Sequence, residues 1–116
     1  MPMKTKQEQR RERRVIATVP VRAKSQRAGE MTGHTRDVGS TMRSVFVYLS
    51  SRVAVGSEVE LVFPIPIGVT PADDTWVRCR ARVMRVEETE QANRFGVAAV
   101  IESFEHLDPE NSKYTT

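Results

Sequence analysis

Arg10 and Arg14 stand four residues apart in the run Arg10-Arg11-Glu12-Arg13-Arg14, directly before an apolar alternation begins at Val15. A guanidinium stays protonated, offers planar paired donors that match a phosphate or the edge of a guanine, and stacks on a purine face. Lysine supplies charge without that fork. The run lies in a head where Lys4, Lys6 and the four arginines face only Glu8 and Glu12, so the chain's formal net charge of +3 is concentrated there. Such a head reads either as an anion-gripping arm or as a solubilising, non-specifically adhesive tail. The spacing alone decides nothing, because Arg78 and Arg82 repeat it among 14 arginines in 116 residues. Those two fall inside an alternating strand, where a solvated face explains them.

Other residue types offer little chemistry. Cys79 is the only cysteine, which excludes an intramolecular disulfide and a paired-thiol metal motif and points to a reducing cytoplasm. His34 and His106 are far apart, with no ligand cluster of metal spacing near either. Ser50-Ser51 lack a G-x-S-x-G context, Cys79 falls at an inward strand position, and glycine-rich phosphate loops are absent. These absences argue against an enzyme, a metal and a cofactor. The apolar stretch Val62 to Val69 is broken by Pro64, Pro66 and Gly68 and falls short of the roughly 20 residues that span a bilayer. No secretory signal is visible at the start, and a membrane role is not expected.

The elements that must position the arginines are strands. Residues 1–9 are unpatterned and read as a flexible basic arm. From Val15 to Arg22, Val15, Ala17, Val19 and Val21 share one face, and Pro20 suggests an edge or a bulge. A polar turn leads to a weak strand from about Glu30 to Val38, followed by Gly39-Ser40-Thr41, and then by Val45 to Leu49. After the connection Ser50 to Gly56, Glu58 to Phe63 alternates, and Pro64 to Asp74 must be a loop. The clearest strand is Trp76 to Val86, with Val77, Cys79, Ala81 and Val83 on one face. A turn at Glu90 to Asn93 joins it to Phe95 to Ile101. Ser103, with Glu102 and Glu105 nearby, is expected to cap a short helix or turn, and Trp76 to cover one end of the fold.

Six strands, valine-rich and poor in aromatics, joined by short polar turns, predict an all-β fold: a six-stranded antiparallel Greek-key barrel with a short C-terminal helix or turn. Closure removes two exposed edges. The expected division is arm 1–9, barrel 10–104 and acidic tail 105–116.

Two stretches make the chain similar to the PilZ domain family. Arg10 to Arg14 running into Val15 and then Pro20-Val21 resembles that family's RxxxR element. Thr35-Arg36-Asp37-Val38 resembles the start of its D/N-x-S-x-x-G element. The runs Val53 to Leu61, Val77 to Val83 and Phe95 to Ala98 are similar to family strands, so the likeness covers roughly residues 10–104. Asp37 matches the second element. Gly39 then stands where serine is expected, Ser40 follows it, and Met42 stands where glycine is expected, so that Gly39 to Ser44 resembles a two-residue insertion or an altered turn.

The resemblance implies a bacterial, cytoplasmic, non-enzymatic receptor for cyclic di-GMP, acting through a protein partner in a signalling or motility pathway. Its implied ligand-binding residues are Arg10, Arg11, Arg14, Asp37, Gly39 and Ser40. Arg10 and Arg14 would grip phosphate and guanine, and Asp37, with Ser40 or Gly39, would read the second edge of the ligand. Two other readings stand beside it: a PilZ-fold adaptor that has lost the nucleotide, with the arm and the 64–74 loop as docking surfaces, and a small nucleic-acid-binding barrel using the arm and the Arg78, Arg80, Arg82 face. The last lacks aromatics interleaved with its arginines.

Overall fold

The computed structural model describes residues 12–69 and 76–107, and every regular element among them is a strand. These are β1 (Arg14–Ile16), β2 (Pro20–Ser25), β3 (Gly29–Gly39), β4 (Ser44–Leu49), β5 (Glu58–Pro64), β6 (Trp76–Glu88) and β7 (Phe95–Leu107). The antiparallel order β2-β5-β6-β7-β4-β3 closes through the β2–β3 pairing into a six-stranded barrel. β5, β6 and β7 follow one another as hairpins, whereas β4 returns to lie beside β7, which is the Greek-key connection. β1 is a short addition. It pairs with the last residues of β3, on the edge that β2 occupies further back.

The predicted strand from Val15 to Arg22 is therefore split, and the reason is local. Pro20 lacks an N–H and disfavours a regular run before it. Across the gap, the Thr35 hydroxyl donates to the Ala17 carbonyl and accepts the Val19 N–H at 3.0 Å, while the Thr35 N–H donates to the Val19 carbonyl at 2.9 Å. The inward alternation survives the break. Val15 and Val19 pack on the core, and Val21 is buried within it.

That core is made of small side chains, as the composition requires. Val45, Val47 and Leu49 face Val97 and Ala99, while Val59, Leu61 and Phe63 face Val77, Cys79 and Ala81. Trp76 does not cover an end: it precedes inward-facing Val77 and stays 40% exposed, outside the core cluster. The helix or turn expected at Ser103 is also replaced. β7 continues to Leu107 because the first half of β6 offers it a partner, from Arg80↔Ser103 to Trp76↔Leu107, past a bulge at Arg80/Ala81. Of the expected loop at 64–74, Pro64 ends β5 and residues 65–69 form a turn that buries Val69; the remainder lies outside the described residues.

Candidate functional site on the outer face of the barrel

β3 carries a bulge against β4, where the register moves between Thr35↔Val47 and Asp37↔Phe46. One extra residue reverses the facing of everything after it. Thr35 is fully buried toward the core, and after the bulge Asp37 shares the outer face with Phe46, while Val38 returns inward opposite Val45. Without it, a carboxylate would point into a valine core.

Asp37 is nonetheless only 4% exposed, because two guanidiniums cover it. Arg14 donates through Nη1 to Oδ1 at 2.9 Å, and Arg36 through Nε to Oδ2 at 2.7 Å. The hydrogen bond to Asp37 raises the Arg36 pKa, against some loss from burial, with Tyr48 adding to the rise. The same guanidinium lies 3.7 Å from the centre of the Phe46 ring. Phe46 is therefore buried although it sits outside the core cluster. Tyr48 packs edge-on to it at 5.4 Å, and the space exists because β7 supplies Gly96, where a Cβ would stand 2.7 Å from Phe46 Cζ.

The turn between β3 and β4 is held by Glu12. Its carboxylate accepts the N–H groups of Thr41 (3.1 Å) and Arg43 (2.9 Å) and the hydroxyls of Thr41 (2.7 Å) and Ser44 (3.0 Å). Burial alone would push the Glu12 carboxyl up, but these hydrogen bonds outweigh it and hold the carboxyl below its ordinary value. The carboxylate rests on Gly39, where an added Cβ would fall 2.3 Å from Glu12 Cδ. Next to it, the Ser40 N–H donates to the Arg13 carbonyl at 2.7 Å. Met42, which stands where the family motif expects glycine, has φ +62°. The turn thus keeps the left-handed residue a glycine would supply. It does so with a side chain 2% exposed, whose burial offsets the roughly 1–2 kcal/mol that this conformation costs.

Of the residues singled out in the sequence, Arg14 and Asp37 are in contact, Gly39 underlies Glu12, and Ser40 joins the arm through its backbone. Arg10 and Arg11 lie outside the described residues. The sequence reading missed Glu12, Arg36, Phe46 and Tyr48. One signal was available: with Val45, Val47 and Leu49 inward, two aromatics at the intervening positions of β4 are unexpected on a solvated face.

Elsewhere the chemistry is muted. A concavity of about 570 Å³ lies over β2, β5, β6 and β7, away from Asp37. There Arg78 pairs with Glu60 and Glu105, Arg80 with Glu58, and Arg82 with Glu102, all at 2.8–3.7 Å. The arginine face proposed for nucleic acid is thereby close to charge balance. Burial pushes the Cys79 thiol up to about 12, so it is no nucleophile at neutral pH. No cluster of metal-ligating side chains occurs among the described residues, and no helix among them is long and apolar enough to cross a membrane.

Comparison with known proteins agrees with this architecture. No curated protein matches the sequence. Among solved structures, the chain is similar to the Bacillus subtilis inhibitor of motility (MotI/DgrA), with a TM-score of 0.61 and 13% identity over 79% of this chain. The match spans 42% of that longer chain, and at this identity it concerns the fold. The model of the PilZ domain matches residues 8–113, the whole of the described barrel, and the chain belongs to the PilZ domain family.

Proposed function

We propose that this chain is a non-enzymatic receptor domain for cyclic di-GMP, which senses the messenger and passes a conformational change to a protein partner. The observation that carries the reading is the contact between Arg14, at the root of the arginine arm, and Asp37, at the end of β3. Two elements 23 residues apart in sequence meet on the outer face of the barrel, and they are the two that carry the family motifs. The ligand has two phosphates that stay charged at neutral pH and two flat guanines. Arg14 and Arg36, 59% and 45% exposed at their side chains, can turn from Asp37 toward phosphate or a guanine Hoogsteen edge. Asp37, once released, accepts guanine N–H groups. The family resemblance also implies Arg10, Arg11, Gly39 and Ser40 as ligand-binding residues, with Arg10 joining Arg14 on phosphate and guanine. A bacterial partner in signalling or motility fits the similarity to a motility inhibitor.

Calorimetric titration with cyclic di-GMP tests this. Saturable binding is expected, weakened about tenfold or more by Arg14→Ala or Asp37→Ala, as the loss of roughly 1.4 kcal/mol requires. Absence of heat, together with unmoved arm resonances at high ligand, would falsify it.

A second reading, the adaptor that no longer binds nucleotide, is favoured by a different observation. Both Asp37 oxygens and four donors of the 39–44 turn are already engaged by the chain's own Arg14, Arg36 and Glu12. A silent titration, alongside a partner complex unaffected by nucleotide, would decide for it.

A further inference from the structure

We propose that the recognition face continues past Asp37 to Arg94, and that Arg94, mounted on Tyr48, takes a phosphate on the half of the ligand remote from Arg14. This rests on the receptor reading. The outer face is ordered in rows: Asp37, Phe46 and Ala98 lie side by side across β3, β4 and β7, and the next outward row is His34, Tyr48 and Gly96. On the β7 side, Gly96 yields its space to the Phe46 and Tyr48 rings. Arg94 enters that second row from the end of the turn before β7. Its guanidinium lies 4.2 Å from the centre of the Tyr48 ring, with Nη2 2.9 Å from His34 Nε2. A guanidinium only donates, so His34 accepts through Nε2.

The rows are physically joined. Arg36 bonds Asp37 and covers Phe46, Phe46 meets Tyr48 edge-on, and Tyr48 carries Arg94 on its ring. A ligand seated on Asp37, beside Arg14 and Arg36, thus meets a third guanidinium along an unbroken strip. The charge differs between the two ends. At the first row Asp37 partly neutralises Arg14 and Arg36, whereas no carboxylate stands within ion-pair distance of Arg94 among the described residues, although Glu90 lines the same concavity of about 280 Å³. Arg94 Nε is buried without a hydrogen-bond partner. Stacking on Tyr48 and the bond to His34 also fix the side chain, so little rotamer freedom remains to be lost on binding. A fixed, uncompensated guanidinium suits an anion better than a neutral base edge.

The test is titration of the whole chain with cyclic di-GMP, comparing wild type with Arg94→Gln, Arg94→Lys and Arg14→Ala, each checked for unchanged thermal unfolding. Arg94→Gln is expected to weaken binding about tenfold, with much of the loss restored in Arg94→Lys, and Tyr48 and Gly96 resonances should shift on ligand addition in the wild type. Equal affinity of Arg94→Gln and wild type, with Arg14→Ala still impaired, overturns the proposal and leaves the receptor reading intact. A wild type that never saturates overturns both.

Discussion

At the scale of single residues, Glu12 governs the arm. It is the one acidic residue in the run from Arg10 to Arg14, and charge counting treats it as a minor neutralising term. In the fold it is the clasp that ties the arm to the turn after Asp37, through four donors on Thr41, Arg43 and Ser44. Because its carboxyl titrates below the ordinary value of 4.5, its contribution is complete above that value. It is lost as pH falls through the depressed folded value. Acidification should therefore move the Thr41 and Arg43 amide resonances before the barrel unfolds. Amides that stay fixed until global unfolding would contradict it. Glu12→Ala should cost about 1 kcal/mol after allowance for solvent screening and speed tryptic cleavage at Arg13 and Arg14. A cleavage rate equal to that of wild type would show that the clasp does not hold the arm.

Strands act here mainly through their irregularities. A regular β3 would turn Asp37 into the core, and a regular β1–β2 strand would need an N–H at Pro20. Thr35 manages both problems from one position, since it precedes the bulge and bridges the Ala17–Val19 gap with its hydroxyl. Thr35→Val keeps the volume and removes the bridge, leaving the Val19 N–H without that acceptor. It should destabilise the domain by about 1–3 kcal/mol in chemical denaturation and loosen the Arg14–Asp37 contact. Stability within a few tenths of a kcal/mol of wild type would mean that water replaces the hydroxyl. The alternation of Val15, Ala17, Val19 and Val21 was legible because side-chain direction follows the period of two whatever the hydrogen bonding. Pro20 marked the break, but the bridge across it was not legible, because it depends on a threonine sixteen residues away.

For the whole molecule, Cys79 reports closure. It sits on β6 with Leu61 of β5 on one side and Phe104 of β7 on the other, fully buried, its thiol raised by burial to about 12. Alkylation at pH 8 should be slow in the native state and rise with denaturant at the midpoint seen by circular dichroism, since it needs the barrel to open. Rapid labelling of the native protein would mean that β5, β6 and β7 separate locally.

Closure itself was readable from six valine-rich alternating runs with short turns, because a sheet of that size has two edges to hide. The C-terminal half of β7 was not: Glu102, Ser103 and Glu105 are good residues for a helix start, and only the pairing of Arg80 with Ser103 and Arg78 with Glu105 across β6 makes them a strand. The same division runs through the candidate site. Arg14 and Asp37 were visible because guanidinium and carboxylate announce their chemistry by type and, here, by a family pattern. Sequence alone determined the all-β architecture, the inward faces and the positions of those charges, since these follow from local periodicity and composition. Only tertiary structure decided that a bulge brings Asp37 outward, that Glu12 holds the turn, and that Arg36 and Arg94 lie on aromatic rings. Those contacts join residues distant in sequence, and their geometry exists only once the barrel has closed.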